Sequence, residues 1–178
     1  KQQIIIEELS NLMDINNIDY IFLKGTNLKR LYNYTYQRGM GDIDYLVKEN
    51  DYYKAKDILI NNGYTNLSAT SHHLLFQTID GVQIELHKSL ASIVEYEQSD
   101  ILNNAWEYTK HKINNEYSLD PNFEYCYLLS HLTRHIRTSG VGLRSILDIY
   151  VYQNKKELDQ IKLDELLFLF NLTKFSQK

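Results

Sequence analysis

Asp42 and Asp44 are separated by one residue within the run DIDYLV, residues 42–47. In a strand, residues i and i+2 project from the same face, so the two carboxylates would stand side by side. Ile43, Leu46 and Val47 mark that strand as at least half buried. Burying two like charges is costly unless a cation or a proton sits between them. Mg2+ or Mn2+ is the natural counter-ion, because hard cations take oxygen ligands. The plainer alternative is that Asp42 caps the strand and Asp44 faces water. A third carboxylate, Glu85, lies in VQIELH, residues 82–87, where Gln83, Glu85 and His87 share one face and Val82, Ile84 and Leu86 the other. From a neighbouring strand Glu85 could share the metal or take a proton from an attacking hydroxyl. Its alternative is an exposed strand residue.

The turn Leu23-Lys24-Gly25-Thr26 is the second element. A glycine between a strand and a helix lets a triphosphate come close to the backbone, and the helix start offers free N–H groups. Lys24 adds charge, and Thr26 is expected as the helix N-cap. Arg38 precedes Asp42 across a glycine-containing loop and is expected to hold a phosphate oxygen, or else to pair with the aspartates. His131 and His135 are four residues apart on one helical face, with Arg134 and Arg137 beside them. They could share a metal, touch substrate or phosphate, or simply pack; no glutamate between them makes an H-E-x-x-H site. Arg144 and Asp148 are expected to pair with each other. His72 and His73 read as ordinary strand-end residues, and His87 as a hydrogen-bond partner for Glu85.

These side chains need a small sheet and its helices to hold them. Periodicity predicts a helix over residues 2–15, a buried strand in DYIFLKG, and a helix after Gly25. It predicts a strand at DIDYLV, a helix begun by Asn50 or Asp51 and ended at Gly63, and a short strand at YTNL. HHLLFQTIDGVQIELHK reads as a hairpin about Asp80-Gly81, a pair that supplies positive φ at both turn positions. A helix is expected over 89–104, and WEYTKHKINNEYSLD as a small hairpin or a loop. Asp120 and Pro121 open the helix FEYCYLLSHLTRHIR, ended at Ser139-Gly140. GLRSILDIYVYQ and LDELLFLFNLTK are two further helices. The class is therefore α+β: a small mixed sheet with flanking helices, then a helical C-terminal region. The expected division is 1–115 for the α/β core and 116–178 for the helices.

The whole composition excludes little but is consistent. The 178 residues carry 19 basic and 23 acidic side chains, a net charge of -4, which argues against a nucleic-acid partner. The lone cysteine, Cys126, forbids an intramolecular disulfide and reads as a buried small residue. No apolar run approaches the ~18 residues of a membrane span. The opening KQQIIIEELS is too polar for a signal peptide, so a cytoplasmic location is expected. A start at lysine and the lack of a clear stop signal suit a piece of a longer protein.

LKGTNL, RGMGDIDYLV, VQIELH, HLTRH and GLRSILD together resemble the uncharacterised nucleotidyltransferase family of the polymerase-β-like superfamily. The resemblance spans about residues 20–150, and R-x-x-x-D-I-D-x-L-V is its most specific part. It implies that Asp42 and Asp44 are metal-binding carboxylates, Glu85 the third, and Gly25 the glycine of the nucleotide-binding turn. Mg2+ or Mn2+ and an NTP are the implied cofactor and substrate. The acceptor would be an undefined hydroxyl-bearing small molecule or protein. The departures are Thr26 after the glycine, where the superfamily usually has serine or glycine, and the long stretch from there to Asp42. They leave open a non-catalytic nucleotide- or partner-binding protein, a phosphohydrolase, or a toxin–antitoxin component.

Overall fold

Two central strands buried on both faces explain how the chain layers. The computed structural model describes residues 1–91, 99–138 and 140–176. Helix α1 (Gln2–Ile15) precedes β1 (Tyr20–Phe22) and the short α2 (Lys24–Lys29). Strand β2 (Ile43–Val47) leads to α3 (Tyr52–Asn61), which ends at Gly63 with φ +85°. Strands β3 (Thr65–Ala69), β4 (His73–Gln77) and β5 (Gln83–His87) follow. Then come α4 (Ser99–Asn103), β6 (Thr109–Ile113), β7 (Glu116–Leu119), α5 (Pro121–Thr138), α6 (Leu143–Lys155), α7 (Gln160–Leu169) and α8 (Thr173–Ser176).

The seven strands form one mixed sheet, ordered β3-β4-β5-β2-β1-β7-β6. Strand β2 is antiparallel to β1 and parallel to β5, while β1 is parallel to β7. Tyr20, Phe22, Ile43, Tyr45, Val47, Ile84 and Leu86 pack with α1 and α3 in one core. The intervening Ile21 and Leu46 face a second core built from α5, α6 and α7. The period of two thus sends Asp44 and Glu85 to the side of the helical half. The expected α+β class holds, and the DYIFLKG, DIDYLV and hairpin strands form where expected.

Some local expectations hold and others are corrected. WEYTKHKINNEYSLD takes the hairpin form, and β7 adds to the main sheet beside β1. Only Gly81 has positive φ in the β4–β5 loop, at +80°; Asp80 does not, because the loop spans residues 78–82 and is longer than a two-residue turn. Of the expected helix 89–104, residues 89–91 are not helical, 99–103 are, and 92–98 lie outside the described residues. Asp120 caps α5 as expected, its Oδ1 accepting from the Asn122 N–H at 3.0 Å. Gly140, at φ +81°, donates to His135 O at 2.8 Å past the end of α5; Ser139 lies outside the described residues. Cys126 is fully buried.

Glu124 ties the two halves together and carries a pH prediction. It is buried in the first turn of α5, where Asn27 Nδ2 donates to Oε1 at 3.1 Å and Tyr152 Oη to Oε2 at 3.0 Å. Burial raises its carboxyl above the ordinary 4.5, although both hydrogen bonds pull the other way. The unfolded chain therefore ionises Glu124 at lower pH than the folded one. Stability falls as pH climbs from the unfolded to the folded value and stays reduced above it. Glu124→Gln is expected to gain stability relative to the parent across that window. Urea unfolding at a series of pH values from 4 to 8 checks this, and parallel stability curves would refute it.

Candidate functional site

The site begins with register. Asp44 on β2 is paired directly with Glu85 on the parallel β5. Asp42 sits just before β2, two residues from Asp44, and ligand atoms of Asp42, Asp44 and Glu85 all lie within 4.8 Å of one another. Asp44 is almost fully buried, with Lys24 Nζ at 2.9 Å and His87 Nε2 at 3.1 Å from its Oδ1. His87 Nε2 also lies 3.2 Å from Glu85 Oε2. His87 therefore joins the two carboxylates, where its expected partner was Glu85 alone.

The electrostatics ask for more positive charge. Burial works against ionising Asp44, but Lys24 and His87 outweigh it and hold its carboxyl well below the usual range. The hydrogen bond to His87 lowers Glu85. Burial opposes charge on His87, yet its bonds to Asp44 and Glu85 raise its pKa overall. Asp42 goes the other way: burial, then repulsion from Asp44 and Glu85, raise it. One of three carboxylates is left short of a counter-charge, which is the condition a bound divalent cation relieves. Donor set and spacing fit an oxygen-ligated ion such as Mg2+ or Mn2+.

Lys24 reaches Asp44 from an uncommon backbone conformation, φ +35°. A non-glycine residue there costs roughly 1–3 kcal/mol, and such strain is usual at functional sites. Leu23, not Thr26, stands at the N-cap of α2. The Thr26 N–H bonds to Leu23 O at 3.2 Å, and its hydroxyl is buried 3.6 Å from Met40 Sδ. The helix starts three residues earlier than a Thr26 cap would set, at Lys24 rather than Asn27, which removes Thr26 from the cap. A Cβ on Gly25 would meet Met40 Cγ at 3.1 Å and Arg38 Nη1 at 3.3 Å. The missing side chain thus makes room for the 38–40 loop.

Arg38 pairs with Asp148 and not with Asp42 or Asp44. Its Nε and Nη2 donate to the two oxygens of Asp148, each at 2.9 Å, and Nη1 donates to Gly25 O at 3.3 Å. Tyr32 Oη also donates to Asp148, at 2.6 Å. Asp148 is therefore the partner of Arg38, not of Arg144; a planar guanidinium meets a carboxylate in bidentate fashion across 110 residues. Spacing along one helix cannot reveal such a pair.

A cleft of about 400 Å³ unites these elements. Lys24, Gly25, Arg38, Asp42, Asp44 and Glu85 line one side. His131, Arg134 and His135 of α5, with Arg144 and Ser145 of α6, line the other. Arg134 Nη2 donates to His131 Nδ1 at 2.8 Å, and the His131 and His135 Nε2 atoms are 2.9 Å apart. Burial, with Lys24 and Arg134 nearby, pushes His131 down to about 2, so it is neutral. Sequence spacing found the histidine face; that it confronts the carboxylates needed the fold. No described helix is long and apolar enough to cross a membrane.

Comparison with known structures supports the same architecture. The chain is similar to ANT(2")-Ia solved in complex with adenylyl-2"-tobramycin, with a TM-score of 0.67, 15% identity, and coverage of 96% of this chain and 97% of that one. It is also similar to an antigenic nucleotidyltransferase-like protein from Paracoccidioides brasiliensis, at TM-score 0.54, 16% identity, and 96% and 86% coverage. For the Megavirus polyadenylate synthase the values are 0.53, 12%, and 89% of this chain against 32% of that chain. At these identities the likeness is one of fold. No curated protein matches in sequence. A family model described as uncharacterised nucleotidyltransferase, however, matches residues 1–178, the length over which the sheet, the cleft and its carboxylates are built, and the chain belongs to that family.

Proposed function

We propose that this protein is a metal-dependent nucleotidyltransferase that moves a nucleoside monophosphate from an NTP to a hydroxyl of a small-molecule or protein acceptor, releasing pyrophosphate. The observation that carries the reading is the convergence of Asp42, Asp44 and Glu85 in a cleft whose other wall is cationic. These three residues would hold Mg2+ or Mn2+, which when bound neutralises phosphate charge and favours loss of the acceptor's proton. Lys24 and His87 keep Asp44 ionised and aimed. Glu85 would receive a proton from the acceptor hydroxyl. Gly25 and Thr26 remain in the proposed nucleotide-binding turn, Gly25 at the cleft wall and Thr26 behind it. Lys24, Arg134 and Arg144 are the cations offered to phosphates, with Arg38, also at the cleft wall, braced against Asp148.

The fold relative solved with adenylyl-2"-tobramycin supports adenylyl transfer, hence ATP, as the form of the reaction. Residues 1–115 would serve as the catalytic core and 116–178 as the helical region closing the cleft, with β7 lent back to the sheet. A cytoplasmic location belongs to the same reading. The pairing of Lys24 with Asp44 favours one alternative, a non-catalytic nucleotide-binding protein in which the ammonium stands where the cation would bind. Incubation with each NTP and Mg2+ against a panel of hydroxyl acceptors separates the readings. Pyrophosphate is expected in proportion to adduct. Orthophosphate would identify a phosphohydrolase, and nucleotide binding without either product the non-catalytic protein.

A further inference from the structure

Beyond the carboxylate triad, the hairpin carries a second constellation. Antiparallel register sets His73 on β4 directly opposite His87 on β5, with ring centroids 5.2 Å apart. Glu85, two residues before His87, points to the same face. One ligand atom from each of His73, Glu85 and His87 lies within 4.8 Å of the other two. We propose that these three residues form a nitrogen-rich metal site, suited to Zn2+ or a similar late transition metal, that shares Glu85 with the triad.

Chemistry separates the two sites. Three carboxylates suit a hard ion, whereas two imidazoles and one carboxylate select zinc-like metals. Around a tetrahedral zinc with bonds of about 2.0–2.1 Å, ligand atoms sit about 3.3 Å apart. His87 Nε2 and Glu85 Oε2, at 3.2 Å, already have that spacing. The His73 ligand atom lies within 4.8 Å of both, so the set closes when the three draw together around the ion. His73 Nδ1 lies 3.2 Å from Thr70 Oγ1, the kind of oxygen contact that fixes the ring of a metal-bound histidine while the other nitrogen serves as ligand. Zinc here would draw Glu85 and His87 away from Asp44. The two sites are therefore mutually exclusive, and zinc acts as a competitor of Mn2+ or Mg2+.

The test reads metal binding, not catalysis, so it stands apart from the pyrophosphate assay. The full chain is titrated with Zn2+ by calorimetry and with Co2+ by visible absorption, followed by Mn2+ titration of the Zn2+-loaded protein. One tight Zn2+ per chain is expected, with weakened Mn2+ binding after loading. His73→Ala and His73→Asn should each weaken Zn2+ by about tenfold or more, the scale seen for disturbing a metal's ligand environment, and leave Mn2+ affinity unchanged. Two variants guard against one that misfolds. Asp42→Asn should do the reverse. Unchanged Zn2+ affinity in both His73 variants would overturn the proposal. Loss in His131→Ala instead would assign the metal to the α5 histidine pair and overturn it equally.

Discussion

Asp44→Asn is expected to abolish stabilisation by Mn2+ and to lower nucleotidyl transfer by about a thousandfold. The residue joins the groups of the carboxylate cluster: Lys24 at 2.9 Å, His87 at 3.1 Å, and Glu85 opposite in register. Removing its charge turns a proposed anionic ligand into a neutral amide and leaves the Lys24 ammonium without its carboxylate partner. Divalent metal supplies several kcal/mol of transition-state stabilisation, and each 1.36 kcal/mol is a factor of ten. Folding stability should fall as well, by about 3–5 kcal/mol, the scale for breaking a buried pair from one side. Because the folded carboxyl is held low, its contribution is present above the unfolded pKa and is lost as pH falls through the folded value. Melting temperature with and without Mn2+ checks the metal claim. An equal rise in parent, Asp44→Asn and Asp42→Asn/Asp44→Asn would refute it.

Arg38→Ala carries the second large effect, through a different link. Its guanidinium is buried against Asp148, which in turn holds Tyr32. Truncation strands Asp148, with only the Tyr32 hydroxyl, in a buried position. Loss of about 3–5 kcal/mol of stability is expected at neutral pH. In a double-mutant cycle with Asp148→Ala, the two single losses should greatly exceed their additive share of the double. The bond also fastens α6 to the Gly25 turn through Gly25 O, so weaker nucleotide binding would follow from a loosened wall. A direct phosphate clamp makes the opposite prediction. Arg38→Ala would then keep the parent's stability and lose about 1–3 kcal/mol of nucleotide affinity, the scale of a charge-assisted hydrogen bond. Urea unfolding and calorimetry with Mg2+ and nucleotide distinguish them.

Much of the site is written in short-range pattern. Period-two alternation is strict in VQIELH and holds from Asp42 to Tyr45 in DIDYLV, so the faces of Asp44 and Glu85 could be read without coordinates, and so could the shared helical face of His131 and His135. Caps and turns were less legible. Thr26 has the right chemistry for a cap, but α2 begins at Lys24, so the side chain turns inward to Met40. Asp80-Gly81 is a two-residue turn signal set inside a longer loop, where only the glycine needs positive φ.

The sequence by itself determined the α+β class, the strands that carry Asp44 and Glu85, and the side of each strand from which they project, because these follow from the local spacing of apolar and polar residues. Tertiary structure alone decided who meets whom. It made β2 and β5 parallel neighbours with Asp44 beside Glu85, brought Lys24 and His87 onto Asp44, and closed the cleft with α5 and α6. It also paired Arg38 with Asp148, a residue of the distant helix α6. Partners 20, 43 and 110 residues apart are chosen by how the layers pack, and no local periodicity records that choice.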